Sequence, residues 1–317
     1  MFVSMSLRLR TVLAVGLTIC LSGAVLVGQK QKNGKKSKPA PPDAKPILWQ
    51  EPADIASRDL YLGPGGESMK PDLSSVTFIR DETKSYSTKY RVRDGSDNEW
   101  VVKIGKEAQP ETAATRLVWA AGYFTDITYL APSVEIKGKG TFENVRFEAR
   151  PKGVKRLDDQ WDWSKNPFVG TRQLQGLKVL MALIHNWDIQ NHNNNVLLVR
   201  NESTGESELH YIDSDLGASF AKEGRFLGHT RNQPEQFVNS KFVTGVKGDT
   251  VRFDYKGKNQ HLLDNITVEQ AKWIGNILSQ LSDQQIRDAF RAANYSPEQI
   301  EELTRVVKER INELVSL

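Results

Sequence analysis

Apolar and polar residues alternate in short bursts through the first half of the chain and fall at helical spacing through the second. Val76-Thr77-Phe78-Ile79 reads as one strand, Lys89-Tyr90-Arg91-Val92-Arg93 as a second and Trp100-Val101-Val102-Lys103-Ile104 as a third. Asp94-Gly95-Ser96-Asp97-Asn98 is the hairpin turn between the last two. A helix is expected over residues 111–121, with Ala114, Leu117, Val118 and Ala121 on one face, Pro110 at its first position and Gly122 after its end. Glu111 shares that inward face, where a carboxylate needs a partner. Further strands are expected at 133–136 and 145–149, with Gly138 and Gly140 between them.

The second half opens with a helix over 171–185, whose Leu174, Leu177, Met181 and Ile184 lie near one face. It runs into Asn186-Trp187-Asp188-Ile189-Gln190-Asn191-His192-Asn193, then a strand at 196–199. A Ser203-Thr204-Gly205 turn leads to a return strand at 210–213, closed by Ser214-Asp215-Leu216-Gly217. Thr267 with Gln270, Ser282 with Gln285 and Ser296 with Gln299 have the capping-box spacing that starts three tail helices. Trp161 and Trp163 read as core packing.

Charge is unevenly spread. Residues 1–45 carry eight Lys/Arg and one Asp, a net of +7, so of the whole-chain +4 the remainder holds −3. The basic balance therefore belongs to the leading segment, and nucleic acid is not an expected partner of the folded part. Arg8 and Arg10 precede an uncharged run over 11–28, the pattern of a secretory signal peptide or N-terminal anchor over residues 1–28 and a candidate membrane tether. Residues 29–46 are Lys- and Pro-rich without an aromatic residue and read as a linker. One cysteine, Cys20, rules out a disulfide framework or Cys-based zinc site within one chain.

Three pieces carry candidate chemistry. Lys103 ends a strand just before the helix bearing Glu111; Asp188 lies five residues before Asn193; Asp215 ends the strand paired with the one after Asn193. Phosphoryl transfer needs a cation on the donor phosphates, a carboxylate for the incoming hydroxyl and oxygen ligands for Mg²⁺. Asp213 shares a strand face with Asp215 and is a further candidate ligand. Each piece alone has an ordinary explanation, such as a snorkelling lysine or turn chemistry; only their order gives them weight.

That order, strand-Lys, helix-Glu, Asp-x-x-x-x-Asn, hairpin, Asp-Leu-Gly, resembles the protein-kinase-like superfamily over residues 76–220, its divergent bacterial and phosphoinositide-kinase-like branches in particular. The resemblance implies an α+β, two-lobed fold: a small, mostly antiparallel β N-lobe with one helix over 47–152, and a helical C-lobe over 153–317 that holds a catalytic-loop-like segment at 186–217. It implies ATP and Mg²⁺ as cofactors and an unknown protein or small molecule as phosphate acceptor. Lys103 is then the phosphate-binding lysine, Glu111 its partner, Asp188 the catalytic aspartate, and Asn193 and Asp215 the metal ligands. Residues 81–87 would cover the nucleotide through Ser85 and Ser87, and 147–153 would form the hinge. The chain departs from the family in having no glycine at 81–87, Asn186-Trp187-Asp188 in the catalytic loop, and Gln190 where many kinases carry Lys.

The expected activity is that of an exported kinase-like phosphotransferase. A catalytically inactive kinase-like binding module at the cell envelope is the alternative. A secreted metal-dependent hydrolase using His185, Asp188 and His192 is a weaker one.

Overall fold

Alternation along five strands closes a small barrel. β2 (Val76–Asp81), β3 (Thr88–Arg93), β4 (Glu99–Ile104), β5 (Thr128–Lys137) and β6 (Gly140–Ala149) follow a three-residue strand, β1 (Lys45–Ile47). The order around the barrel is β2-β3-β4-β6-β5, closed by a short parallel pairing of Val76 and Thr77 with Ile136 and Lys137. Every second side chain points inward: Val92, Trp100, Val102, Tyr129, Ile136, Val145 and Phe147 form one core. Trp100 meets Phe147 edge-on at 5.9 Å. Asp94 holds the β3–β4 turn, accepting from the Ser96 and Asn98 N–H groups and from Trp100 Nε1 at 2.8 Å.

These coordinates are a computed structural model that describes residues 40–317 apart from 83–86, 159, 222 and 225–227. The candidate leader at 1–28, most of the Lys/Pro-rich stretch and Ser85 lie outside the described residues. Among the described residues no helix is long and apolar enough to cross a membrane.

The mixed α+β composition expected from the sequence is what the chain forms. Six helices accompany the sheets among the described residues: α1 (Ala108–Ala120), α2 (Arg172–Leu183), α3 (Pro234–Val238), α4 (Val268–Leu278), α5 (Asp283–Ala292) and α6 (Pro297–Val315). α1 begins at Ala108, three residues before the expected start, because Gly105 turns the chain at φ +119° directly after β4. Pro110 is therefore the third helical residue, still within the turn whose N–H groups need no helical partner. Thr171 caps α2 through Leu174 N–H, and all three expected capping boxes form at α4, α5 and α6.

The larger core joins α1, α2 and α4–α6, with Leu117, Val118, Leu177, Leu180, Ile274, Phe290 and Leu303 all buried in it. A second sheet, order β1-β9-β8-β7, crosses this part with β7 (Lys155–Arg156), β8 (Asn194–Arg200) and β9 (Ser207–Asp213). Two short ribbons, β10 (Glu223–Gly224) with β11 (Gly228–His229) and β12 (Val243–Lys247) with β13 (Thr250–Phe253), complete it.

Two boundaries differ from the sequence reading. Lys45 and Pro46, assigned to the linker, lie in β1, paired in parallel with Glu208 and Leu209 of β9. Leu48, Ile55 and Leu60, assigned to the strand-rich half, sit in the helical core, and Trp49 donates to the Ala121 carbonyl at 2.8 Å. A three-residue strand leaves no period to read, and burial of these apolar side chains decides where the segment packs.

Candidate functional site

β4 turns Val101 and Lys103 away from the barrel core and towards the helices, and β6 does the same with Arg146 and Glu148, directly opposite them in register. The turn at Gly105 then brings α1 back beneath β4. Lys103 Nζ lies 2.6 Å from Glu111 Oε2, 3.3 Å from Glu107 Oε2 and 3.2 Å from Asp215 Oδ1. Lysine and helix glutamate thus meet, although they stand only eight residues apart, and the candidate metal ligand joins them. Burial works against the lysine's charge, but Glu111 and then Asp215 outweigh it and raise its pKa. Burial lifts Glu111 to about 7 against the pull of Arg146 and Lys103.

The sequence reading missed the second cation. Arg146 Nη1 lies 2.8 Å from Glu111 Oε1, and Arg146 Nη2 donates to Glu148 Oε2 at 2.9 Å. Glu148 also accepts from Arg150 and, at 3.2 Å, from Arg156, which binds Asp126 as well. A continuous line of alternating charges therefore runs from Asp126 to Asp215. The available signal was the alternation of Arg146 and Glu148 with Val145, Phe147 and Ala149, which marks a strand with a charged second face. Glu107 was missed too. It pairs with Arg231 at 2.5 Å and accepts from Ser87 Oγ at 2.6 Å. Ser87, expected at the nucleotide, is thus buried against Glu107.

The loop after α2 is held by its own amides. His185 takes a left-handed φ of +49°, and Asn186 is fully buried. The Tyr255 hydroxyl donates to the Asn186 carbonyl at 2.6 Å, and Asn186 Oδ1 accepts from the Asp188 N–H at 3.2 Å. Asp188 is left partly exposed in the cleft. Gln190 Nε2 donates to Asp188 Oδ1 at 2.6 Å and so orients the carboxylate. Asn193 Nδ2 donates to the Asp188 carbonyl at 2.6 Å, which leaves its amide oxygen for a ligand.

The β8–β9 hairpin brings the metal candidates together: Ser214 N–H donates to the Asn193 carbonyl at 2.9 Å, and Asn194 pairs with Asp213. Asp213 is buried, and its carboxylate oxygens have no hydrogen-bonded partner among the described residues. Burial, then the Asp215 charge, raises its pKa well above the carboxylate range, opposed in part by the Asp215 backbone N–H. Burial also pushes Asp215 up, but Lys103 and Lys89 prevail and bring it down to about 2. A buried acid close to an ionised one, with Asn193 lining the same cleft as the latter, is a hard oxygen set that fits Mg²⁺. Gly217 follows closely: a Cβ there would lie 2.7 Å from Glu107 Cβ, so Asp-Leu-Gly needs its glycine for space.

Lys103, Glu111, Asp188, Asn193 and Asp215 all line one cleft of about 660 Å³, along with Lys89, Glu107, Arg146 and Arg231. His185, by contrast, is buried with its ring tilted against Tyr255 at 5.6 Å. Among the described residues no three His, Cys, Asp or Glu side chains converge as a metal cluster, so His185, Asp188 and His192 do not form the site that the hydrolase alternative requires.

No family model and no curated protein matches the chain. Among solved structures, the proinflammatory kinase CtkA of Helicobacter pylori is 12% identical, covers 78% of this chain and 97% of its own, and gives a TM-score of 0.47. The Golgi casein kinase is 9% identical over 84% of this chain and 77% of its own, with a TM-score of 0.39. The Rio2 kinase of Chaetomium thermophilum is 12% identical over 76% and 72%, with a TM-score of 0.30.

Proposed function

We propose that the chain is a two-lobed, kinase-like phosphotransferase that binds a Mg-nucleotide between its barrel and its helices. The observation that carries this reading is the contact of Lys103 with both Glu111 and Asp215 in the cleft that Asp188 and Asn193 also line. Lys103 and Lys89 face the donor phosphates. Asp213, Asp215 and Asn193 would hold Mg²⁺, which would screen the phosphate charge. Asp188, oriented by Gln190, accepts the proton of the acceptor hydroxyl. The hydroxyl oxygen then forms its bond to the terminal phosphorus, and the bond from that phosphorus to the bridging oxygen breaks, releasing the diphosphate. The basic flank and apolar run at 1–28 support export or a membrane tether.

Mg-ATP at about 100 times its dissociation constant should stabilise the protein by about 2.7 kcal/mol. A melting temperature unmoved by saturating Mg-ATP and Mg-GTP would sink the reading. The alternative, an inactive binding module at the cell envelope, is favoured by Gln190, which takes one Asp188 oxygen and supplies no cation. Stabilisation by Mg-ATP without transfer to any hydroxyl acceptor would select it.

A further inference from the structure

We infer, on the basis of the function proposed above, that the cleft recognises its donor by the polyphosphate and is indifferent to the base. The donor class is then any nucleoside triphosphate, together with inorganic tripolyphosphate as a binder. The lining carries this. At the metal end stand Lys103, Lys89 and Asp215, groups suited to phosphate and Mg²⁺. At the other end, beside the link from β6 to β7, the walls are Asp126, Glu148, Arg150, Arg156, Gln160 and Asn195. Val101 is the one apolar side chain among the described residues that line the cleft. A flat base gains affinity by burying its faces against apolar or aromatic groups, with a few placed polar partners at its edge. Here the wall facing it is ionic, and Glu148 is already engaged by Arg146, Arg150 and Arg156.

An apolar space does exist nearby, and the fold sets it apart. Asn195, Leu197 and Val199 share one face of β8, but only Asn195 reaches the charged cleft. Leu197 and Val199 line a separate cavity of about 270 Å³ with Trp119, Phe124, Ile127 and Val154. The Asp126–Arg156 ion pair contributes to both linings and stands between them. Arg156 is further tied to Ser214 at 2.9 Å and Glu148 at 3.2 Å, so three polar contacts hold this guanidinium where the two spaces adjoin, beside Arg150, which also lines both.

Calorimetric titration of the full chain with ATP, GTP, CTP and tripolyphosphate in excess Mg²⁺ tests this. Dissociation constants within about threefold of one another are expected for the three nucleotides, with tripolyphosphate within about tenfold of them. A wider spread among the nucleotides overturns base indifference and leaves the proposed function standing. Failure of all four to bind overturns the proposed function itself, and the inference with it. Val199→Trp and Leu197→Phe, which fill the separate cavity, should leave ATP affinity unchanged. Selective loss of ATP binding, with tripolyphosphate binding retained, would place the base in that cavity and overturn the inference.

Discussion

Lys103 and Arg146 stand opposite each other on β4 and β6, and one carboxylate, Glu111, bridges them at 2.6 and 2.8 Å. Two buried cations across a strand ladder repel at low dielectric, and the glutamate between them offsets that repulsion, alongside Glu107 and Asp215 on the lysine and Glu148 on the arginine. Glu111→Ala is expected to lower the unfolding free energy by about 3–5 kcal/mol, the usual result of removing one partner from a buried ion pair. The midpoint of urea denaturation reads this directly, and a loss under about 1 kcal/mol would show that the cluster is not held as described.

Asp188 offers a different separation. Its side chain is partly exposed and, among the described residues, accepts its one side-chain hydrogen bond from Gln190. Asp188→Ala should therefore lower stability by only about 1 kcal/mol, while phosphate transfer falls by about 10²–10⁴-fold, as for loss of a general base. Circular dichroism melting and transfer of radiolabelled phosphate, measured on the same preparation, decide it. A variant as active as the parent would remove Asp188 from the chemistry.

Asp213 predicts a pH dependence. Its folded pKa is raised, so the neutral acid is the form the fold prefers. The contribution to stability is complete below the ordinary carboxylate pKa of about 3.9 and is lost as pH rises through the raised folded value. Asparagine cannot ionise. With a chelator present, Asp213→Asn should match the parent's melting temperature near pH 4 and exceed it increasingly towards neutral pH. Adding Mg²⁺ should reverse the order by stabilising the parent alone. If the two curves stay parallel from pH 4 to 8, with and without Mg²⁺, Asp213 is not the strained ligand described.

Ser296 makes a control far from the cleft. It accepts from Gln299 N–H at 3.3 Å, while Gln299 Oε1 accepts from Ser296 N–H at 3.2 Å. Ser296→Ala should cost about 1 kcal/mol without changing the dissociation constant for Mg-ATP. A change in that constant would mean that the tail helices communicate with the cleft.

Lys103, Glu111, Asp188, Asn193 and Asp215 were legible because their order along strand, helix, loop and hairpin limits where the chain can put them. Asp94 and the three capping boxes were legible because their chemistry is local. Arg146, Glu148 and Glu107 were not. Nothing within one strand distinguishes a charge facing solvent from one facing another element, and Arg146 acquires its meaning only from Lys103 across the ladder. β1 escaped notice because its partner is β9, more than 150 residues away.

Glu111 and Lys103 are anchored in different cores. The helix that carries the glutamate buries Ala113, Ala114, Leu117 and Val118 among the other helices, while the strand that carries the lysine buries Trp100 and Val102 inside the barrel. Leu117 and Val118 alone stand for about 1.5–3 kcal/mol each in apolar burial, so α1 is no free lever that swings its carboxylate in and out. The same carboxylate is also held by Arg146 of β6, so Glu111 is the point at which the packing of the helices and that of the barrel are fastened together, from two neighbouring strands at once.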